Sequence, residues 1–217
     1  MADETSSGPR RKGTGVIRRL RRTVSDQLSR PAGPLGRVVA ALMNRGNRDL
    51  NARAIDRLDV ATELRVLDLG FGGGLTFAPL LARGAKVFGV DRAADMVEAA
   101  EGRNRQAVAA GRLILRTGEV QDLPLDDAAV DRVLTVNTVY FWPDLAVALP
   151  EVARVLAPGG RLVIGIRDGS VMQQVSPEVF TLRTPDEIRS ALEAAGFSEV
   201  RVRSAHDRKT HLITAVH

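Results

Sequence analysis

The stretch that decides the fold is Leu64-Arg-Val-Leu-Asp68-Leu-Gly70-Phe71-Gly72-Gly73-Gly74. Leu64–Leu69 is a short apolar run closed by a glycine cluster, the pattern of a buried strand. Leu75–Ala82 follows with helical composition, and Pro79 is placed to bend or shorten it. Glycine allows close backbone approach to a ligand and angles denied to other residues. In open α/β sheets, ligands bind at this place, beyond the carboxyl ends of the strands. The spacing is not that of a dinucleotide loop. In the pattern GxGxxG the sixth position is Leu75 counted from Gly70 and Phe77 counted from Gly72, and the phosphate loop GxxxxGK[ST] is absent. Asp91, 19 residues after Gly72, ends a second strand, Lys86–Val90. A carboxylate there can accept both ribose hydroxyls in either nucleotide class. Asp68, just ahead of the glycines, tips the reading away from a nicotinamide dinucleotide.

Outward from this core, strand and helix signals alternate. Ala93–Ala109 is helical in composition, Arg112–Arg116 a third strand, Val130–Val136 a fourth and Leu145–Leu156 a helix. Pro158-Gly159-Gly160 reads as a turn before a fifth strand, Arg161–Ile166. A helix over Pro185–Ala195 and two strands, Glu199–Ser204 and His211–Val216, complete the series. Such alternation implies an α/β fold with a mostly parallel sheet covered on both faces.

With these elements in order, residues 50–217 resemble the class I S-adenosylmethionine-dependent methyltransferases of the small-molecule and lipid type. Asp68, Gly70, Gly72 and Gly74 match the DxGxGxG form. Gly118-Glu119-Val120-Gln121-Asp122-Leu123-Pro124-Leu125 looks like the family's GDAxxLPF stretch, with Glu119 and Val120 in place of Asp-Ala. Arg154-Val-Leu-Ala-Pro158-Gly159-Gly160 matches the segment leading into strand five. The resemblance implies a Rossmann-like fold with a seven-stranded sheet and S-adenosyl-L-methionine as cofactor. It implies a loop, with Phe71 in it, bent around the cofactor's amino-acid part. Asp91 would bind the ribose, with Arg92 and Met96 flanking ribose and adenine. Glu119 would offer a carboxylate to the adenine amino group, and Val120 its backbone. Asn137, opening Asn137-Thr-Val-Tyr140-Phe-Trp142, would face the methyl donor. Tyr140 is the candidate to orient or stack on an acceptor, and His206 is the candidate base.

The 217 residues carry 31 basic and 26 acidic side chains, a formal charge of +5. Residues 1–50 hold 11 basic and 4 acidic residues, so the excess is N-terminal and the body is slightly acidic. That distribution predicts two regions: a basic extension over 1–50, a candidate lid, and a methyltransferase domain over 51–217. Within the extension, Val16, Ile17, Leu20, Val24 and Leu28 form one apolar helical face beside four arginines. A second short helix follows with Leu35, Val38, Val39, Leu42 and Met43 on one face. Arginines beside an apolar face suit anionic headgroups, so residues 10–30 are a candidate peripheral membrane contact. The lack of aromatic stacking residues in this region argues against nucleic acid.

No cysteine is present, which excludes disulfides, thiolate nucleophiles and thiolate-bound zinc. His206, His211 and His217 lack the HExxH pattern, so no metal is expected. Neither a membrane-spanning apolar run nor a secretory leader is legible, and a cytoplasmic location is the expectation. The short chain directs the acceptor pocket to the N-terminal helices and to Arg167–Thr184, where Met172, Val175, Val179 and Phe180 form an apolar wall or a lid core. A small or lipid-like acceptor is the first expectation. Methylation of RNA or protein is the alternative, weakened by NTVY standing where an NPPY-type motif would serve base methylation. A non-catalytic cofactor-binding or interaction protein is the other. The sequence leaves the oligomeric state open.

Overall fold

The computed structural model describes residues 48–168, 181–206 and 209–217. The N-terminal amphipathic helices, the expected membrane contact over 10–30 and the apolar residues from Met172 to Phe180 lie outside the described residues. The described chain opens in a helix over 48–58, α1. There follow β1 (Arg65–Leu69), α2 (Phe77–Ala82), β2 (Lys86–Asp91), α3 (Ala94–Arg103), α4 (Arg105–Ala109) and β3 (Leu113–Thr117). Next come β4 (Val130–Val136), a 3-10 turn (Val139–Phe141), α5 (Leu145–Val155) and β5 (Leu156–Arg167). The chain ends in α6 (Pro185–Ala194), β6 (Ser198–Ser204) and β7 (Thr210–Val216).

The seven strands form one sheet in the order β3-β2-β1-β4-β5-β7-β6. All neighbours are parallel except β7, which runs antiparallel to both β5 and β6. Chain direction across the sheet reverses between β1 and β4, and an open α/β sheet has its ligand crevice at such a switch point. Strands covered on both faces read as continuous apolar runs, and β1 is buried from Val66 to Leu69. One core packs Leu50, Ile55, Leu58, Phe77, Leu80 and Val97 against Val66, Leu134 and Val163. The other packs Leu149, Val152, Ile188 and Leu192 against Leu67, Val133, Ile164 and Ile213. The boundary expected at residue 50 falls inside α1, whose Leu50, Ala54, Ile55 and Leu58 all join the first core.

Local chemistry explains where the elements differ from the pattern read off the sequence. The expected helix Leu75–Ala82 begins only at Phe77, because the loop first closes a turn in which the Gly74 amide donates to the Phe71 carbonyl at 2.8 Å. The single helix expected over Ala93–Ala109 divides at Asn104, whose side-chain amide donates to the Ala100 carbonyl at 2.8 Å and ends α3. Pro158-Gly159-Gly160 is not a turn ahead of β5. It is an excursion within that strand, between the pairs Val130↔Leu156 and Arg132↔Arg161. The chain's last residue stitches it down: the Gly159 amide donates to the His217 carbonyl at 2.8 Å, and the His217 amide to the Gly160 carbonyl at 2.9 Å. α6 starts where its sequence says, with Pro185 in the first turn and a capping box between Thr184 and Glu187.

Candidate active site

The carboxyl ends of β1, β2 and β4 converge on the glycine loop. The Gly70 amide donates to the Val90 carbonyl at 2.7 Å, tying the exit of β1 to β2. Gly70 has φ +74°, and a Cβ there would lie 2.4 Å from Thr138 Cγ2. Across the switch point the Thr135 hydroxyl donates to the Leu69 carbonyl at 2.9 Å and shares a hydrogen bond with the Thr138 hydroxyl. Two threonines of the β4 end therefore fasten it to the end of β1, and one of them shapes the space that only glycine fits.

Asp68 is buried, and its carboxylate accepts the Thr76 hydroxyl. Burial raises its pKa to about 7; the Thr76 bond opposes the shift and the nearby Asp91 charge adds to it. Asp91 is also buried, and burial raises its pKa, against backbone hydrogen bonds from Ala93, Gly72 and Arg92 and the Arg92 charge. Gly72 N–H donates to one carboxylate oxygen at 2.7 Å and Ala93 N–H to the other at 3.0 Å. The acid at the end of β2 thus grips the glycine loop directly. Asn137 ends β4 in the left-handed region, φ +58°, with its amide donating to the Gly165 carbonyl at 2.8 Å. Its Oδ1 is buried and has no hydrogen-bond partner. An unsatisfied buried acceptor costs roughly 1–3 kcal/mol, and a donor on a ligand would remove that cost.

The remaining sites named from sequence fall into three groups. Arg92 and Glu119 meet at the edge of the crevice, Nε to Oε1 3.7 Å. Phe71, Met96 and Val120 are core residues, 6%, 2% and 7% exposed, so any ligand contact of theirs runs through backbone or one edge of the side chain. Phe71 packs on Phe77, ring centroids 5.0 Å apart. Tyr140 and His206 do not come together. His206 is exposed in the connection between β6 and β7. Tyr140 is buried, its hydroxyl donating to the Arg167 carbonyl at 2.7 Å and accepting from the Arg167 amide. Burial pushes this phenol well above the ordinary tyrosine range. It is a neutral strut between the 3-10 turn and β5.

Several positioning residues escaped the sequence reading. Glu151 on α5 accepts the Leu123 amide at 2.7 Å, and Arg154 donates to the carbonyls of Leu125 at 2.9 Å and Leu123 at 3.2 Å. The two side chains also pair with each other, 2.7 Å apart. They hold the loop that carries Glu119 and Val120. Arg183 donates to the carbonyls of Val139 and Trp142, each at 2.8 Å, and anchors the 3-10 turn. Both arginines satisfy backbone carbonyls, a role without a sequence signature. His211 is the histidine the fold buries, with Nδ1 2.9 Å from Ser204 Oγ and Nε2 3.8 Å from Asp168. Among the described residues no cluster suits a metal ion, and no helix is long and apolar enough to cross a membrane.

A glycine loop between two buried acids, at the switch point of a 3-2-1-4-5-7-6 sheet, defines a class I S-adenosylmethionine-dependent methyltransferase domain. The chain contains such a domain: residues 67–164 match the methyltransferase domain family model. An uncharacterized methyltransferase of Mycobacterium tuberculosis is 43% identical over 118 residues, covering 54% of this chain and 46% of the relative. An O-methyltransferase of Penicillium expansum is 30% identical over 156 residues, 67% of this chain and 56% of the relative. The chain therefore spans about half the length of these curated relatives. The crystal structure of a SAM-dependent methyltransferase from Aquifex aeolicus superposes with a TM-score of 0.69 at 21% identity, over 83% of this chain and 97% of that one. That likeness is one of fold.

Proposed function

We propose that the chain transfers the methyl group of S-adenosyl-L-methionine to a small or lipid-like acceptor by in-line displacement. The observation that carries the cofactor reading is the contact between Asp91 and Gly72 at 2.7 Å. It supports that reading because a ribose carrying an amino-acid group would meet the buried carboxylate and the glycine loop together. The orphaned Asn137 Oδ1 fits the same ligand, whose ammonium is a donor in need of a buried acceptor. The bound cofactor supplies a methyl group on a sulfonium.

The protein's own residues hold and orient. Asp91 accepts the ribose hydroxyls while Arg92 and Glu119 border the adenine. Asp68 reaches the loop through Thr76, and the Thr135 hydroxyl, held by Thr138, ties the β4 end to Leu69 of β1. Alignment of acceptor, methyl carbon and sulfur contributes much of the rate of such a transfer. The O-methyltransferase relative supports an oxygen acceptor. Cytoplasmic residence and a basic extension ahead of the methyltransferase domain belong to the same proposal.

Calorimetric titration with S-adenosylmethionine, S-adenosylhomocysteine and NAD tests the cofactor. Tight NAD binding with neither sulfur compound bound would sink the reading. Transfer of a radiolabelled methyl group to fractionated small molecules, lipids, RNA and protein tests the acceptor, with Asp91→Asn as the control. Label entering RNA or protein alone would replace the small-acceptor reading. Cofactor binding without transfer to any class would replace catalysis.

A further inference from the structure

Away from the cofactor crevice, α1 and the edge strand β6 enclose a cleft of about 500 Å³ lined by Arg53, Asp56, Arg57, Arg203, Ser204 and Leu212. We propose that this cleft is a second ligand site, one that binds a phosphate group. The placement follows from two periodicities. Arg53 and Arg57 are one helical turn apart and share a face of α1. Along β6, Val200 and Val202 pack toward the core beneath α6, so Arg201 and Arg203 project from the opposite face, the face α1 covers. Leu212 gives the cleft an apolar floor, which strengthens charge interactions above it.

Among the described residues, Arg53, Arg57 and Arg203 line the cleft with one carboxylate, Asp56, which Arg83 engages outside the cleft at 2.5 Å. Arg53 donates to Thr210 Oγ1 at 2.7 Å and is paired with Asp49 at 3.1 Å, which leaves Arg57 and Arg203 as the unbalanced charges. Arg57 and Arg203 have no anionic partner among the described residues. Arg201, on the same face of β6, is paired with Glu199 at 3.1 Å and so is not free to serve. Guanidinium groups gathered around a concave space with an apolar floor repel one another until an anion joins them. Their forked donors suit phosphate, which accepts several at once.

Arg53 also fixes where the site lies relative to the chemistry. Its partner Thr210 is the first residue of β7, paired with Arg167 at the carboxyl end of β5. The cleft therefore opens at the same end of the sheet as the glycine loop, but two strands beyond β4 and on the α1 face. It is separate from the donor crevice, and its ligand does not depend on the proposed methyl transfer. The phosphate belongs either to a soluble phosphorylated compound or to an anionic lipid headgroup.

The test uses the full chain with inorganic phosphate and pyrophosphate, at ionic strength held constant with chloride. Thermal melting and calorimetry should show saturable binding, with pyrophosphate tighter. Arg57→Gln and Arg203→Gln should each weaken it by about tenfold, as expected for loss of a charge-assisted contact, and together abolish it. S-adenosylhomocysteine affinity should stay unchanged in both variants, which also reports that they fold. Vesicles of phosphatidylglycerol in phosphatidylcholine that displace pyrophosphate assign the phosphate to lipid; vesicles that do not displace it assign it to a soluble compound, and either result supports the site. The proposal is overturned if phosphate has no effect beyond that of chloride. It is overturned equally if the double variant binds pyrophosphate like the parent, or if cofactor affinity falls in step with phosphate affinity.

Discussion

Replacing Gly70 by alanine should destabilise the protein far more than the same change two residues on. At Gly70 two costs combine. Its φ of +74° is left-handed, which costs a residue with a Cβ roughly 1–2 kcal/mol. The new Cβ would also stand 2.4 Å from Thr138 Cγ2, and overpacking of that kind typically costs about 1–3 kcal/mol. The total is roughly 2–5 kcal/mol, against a gain of about 0.4–1 kcal/mol from restricting the unfolded chain. Gly72, at φ +51° with no atom within 4 Å of its would-be Cβ, carries only the backbone cost. Thr138→Ser removes the methyl group responsible for the clash and keeps the hydroxyl that bonds Thr135. In urea denaturation Gly70→Ala should lose roughly 1–4.5 kcal/mol net and Gly72→Ala about 1 kcal/mol or less. The Gly70→Ala/Thr138→Ser double variant should recover much of the steric part, a coupling of about 1–3 kcal/mol. Additivity to within about 0.5 kcal/mol would refute the claim that Thr138 dictates glycine at position 70.

Asp68 should make stability fall with pH. Its folded pKa, about 7, lies above its unfolded value of 3.8, so the folded form keeps a proton that the unfolded chain has lost. The stabilisation is complete below about pH 4, is lost as pH rises to about 7, and changes no further above that. The full span is at most roughly 4 kcal/mol at 1.36 kcal/mol per pKa unit. Asp68→Asn should gain on the parent across that window in denaturation at stepped pH, and a constant difference from pH 4 to 8 would contradict the assignment. Tyr140→Phe should cost about 1–3 kcal/mol by stranding the Arg167 backbone groups, and His206→Ala should leave both stability and methyl transfer unchanged. A transfer rate that collapses in Tyr140→Phe with stability intact would make the phenol a participant instead of a strut. Asn137→Gly should fold at least as well, since glycine accepts φ +58° and the buried orphan oxygen is gone. Its affinity for S-adenosylhomocysteine should nevertheless drop by about tenfold, the loss of one hydrogen bond to a charged donor. Equal affinity would show that Oδ1 meets no ligand.

The architecture was legible because its signals are local. An apolar run, a glycine cluster and a following acid are each confined to a few residues, and Asp68, Gly70 and Asp91 sit where their spacing placed them. Helix ends were less legible because they depend on single side-chain bonds: Asn104 ends α3 by reaching its own backbone, and nothing in the apolar pattern around it changes there. The proline–glycine segment misled for a different reason. It has the composition of a turn, but its partner is the far end of the chain at His217, which no local window contains.

Roles in the site obey the same division. Tyr140 and His206 were singled out by their places after the fourth and sixth strands and by residue type, since a phenol and an imidazole are groups that orient substrates and move protons. Type says nothing about where the polar atom ends up. The fold spends the Tyr140 hydroxyl on the backbone of Arg167 and leaves His206 in solvent. Asn137 makes the opposite case. A φ of +58° suits asparagine, which tolerates the left-handed region, but a buried oxygen without a donor is unfavourable for the protein alone. Under the proposed function a donor on the cofactor meets that oxygen, and titration of Asn137→Gly with S-adenosylhomocysteine decides whether it does.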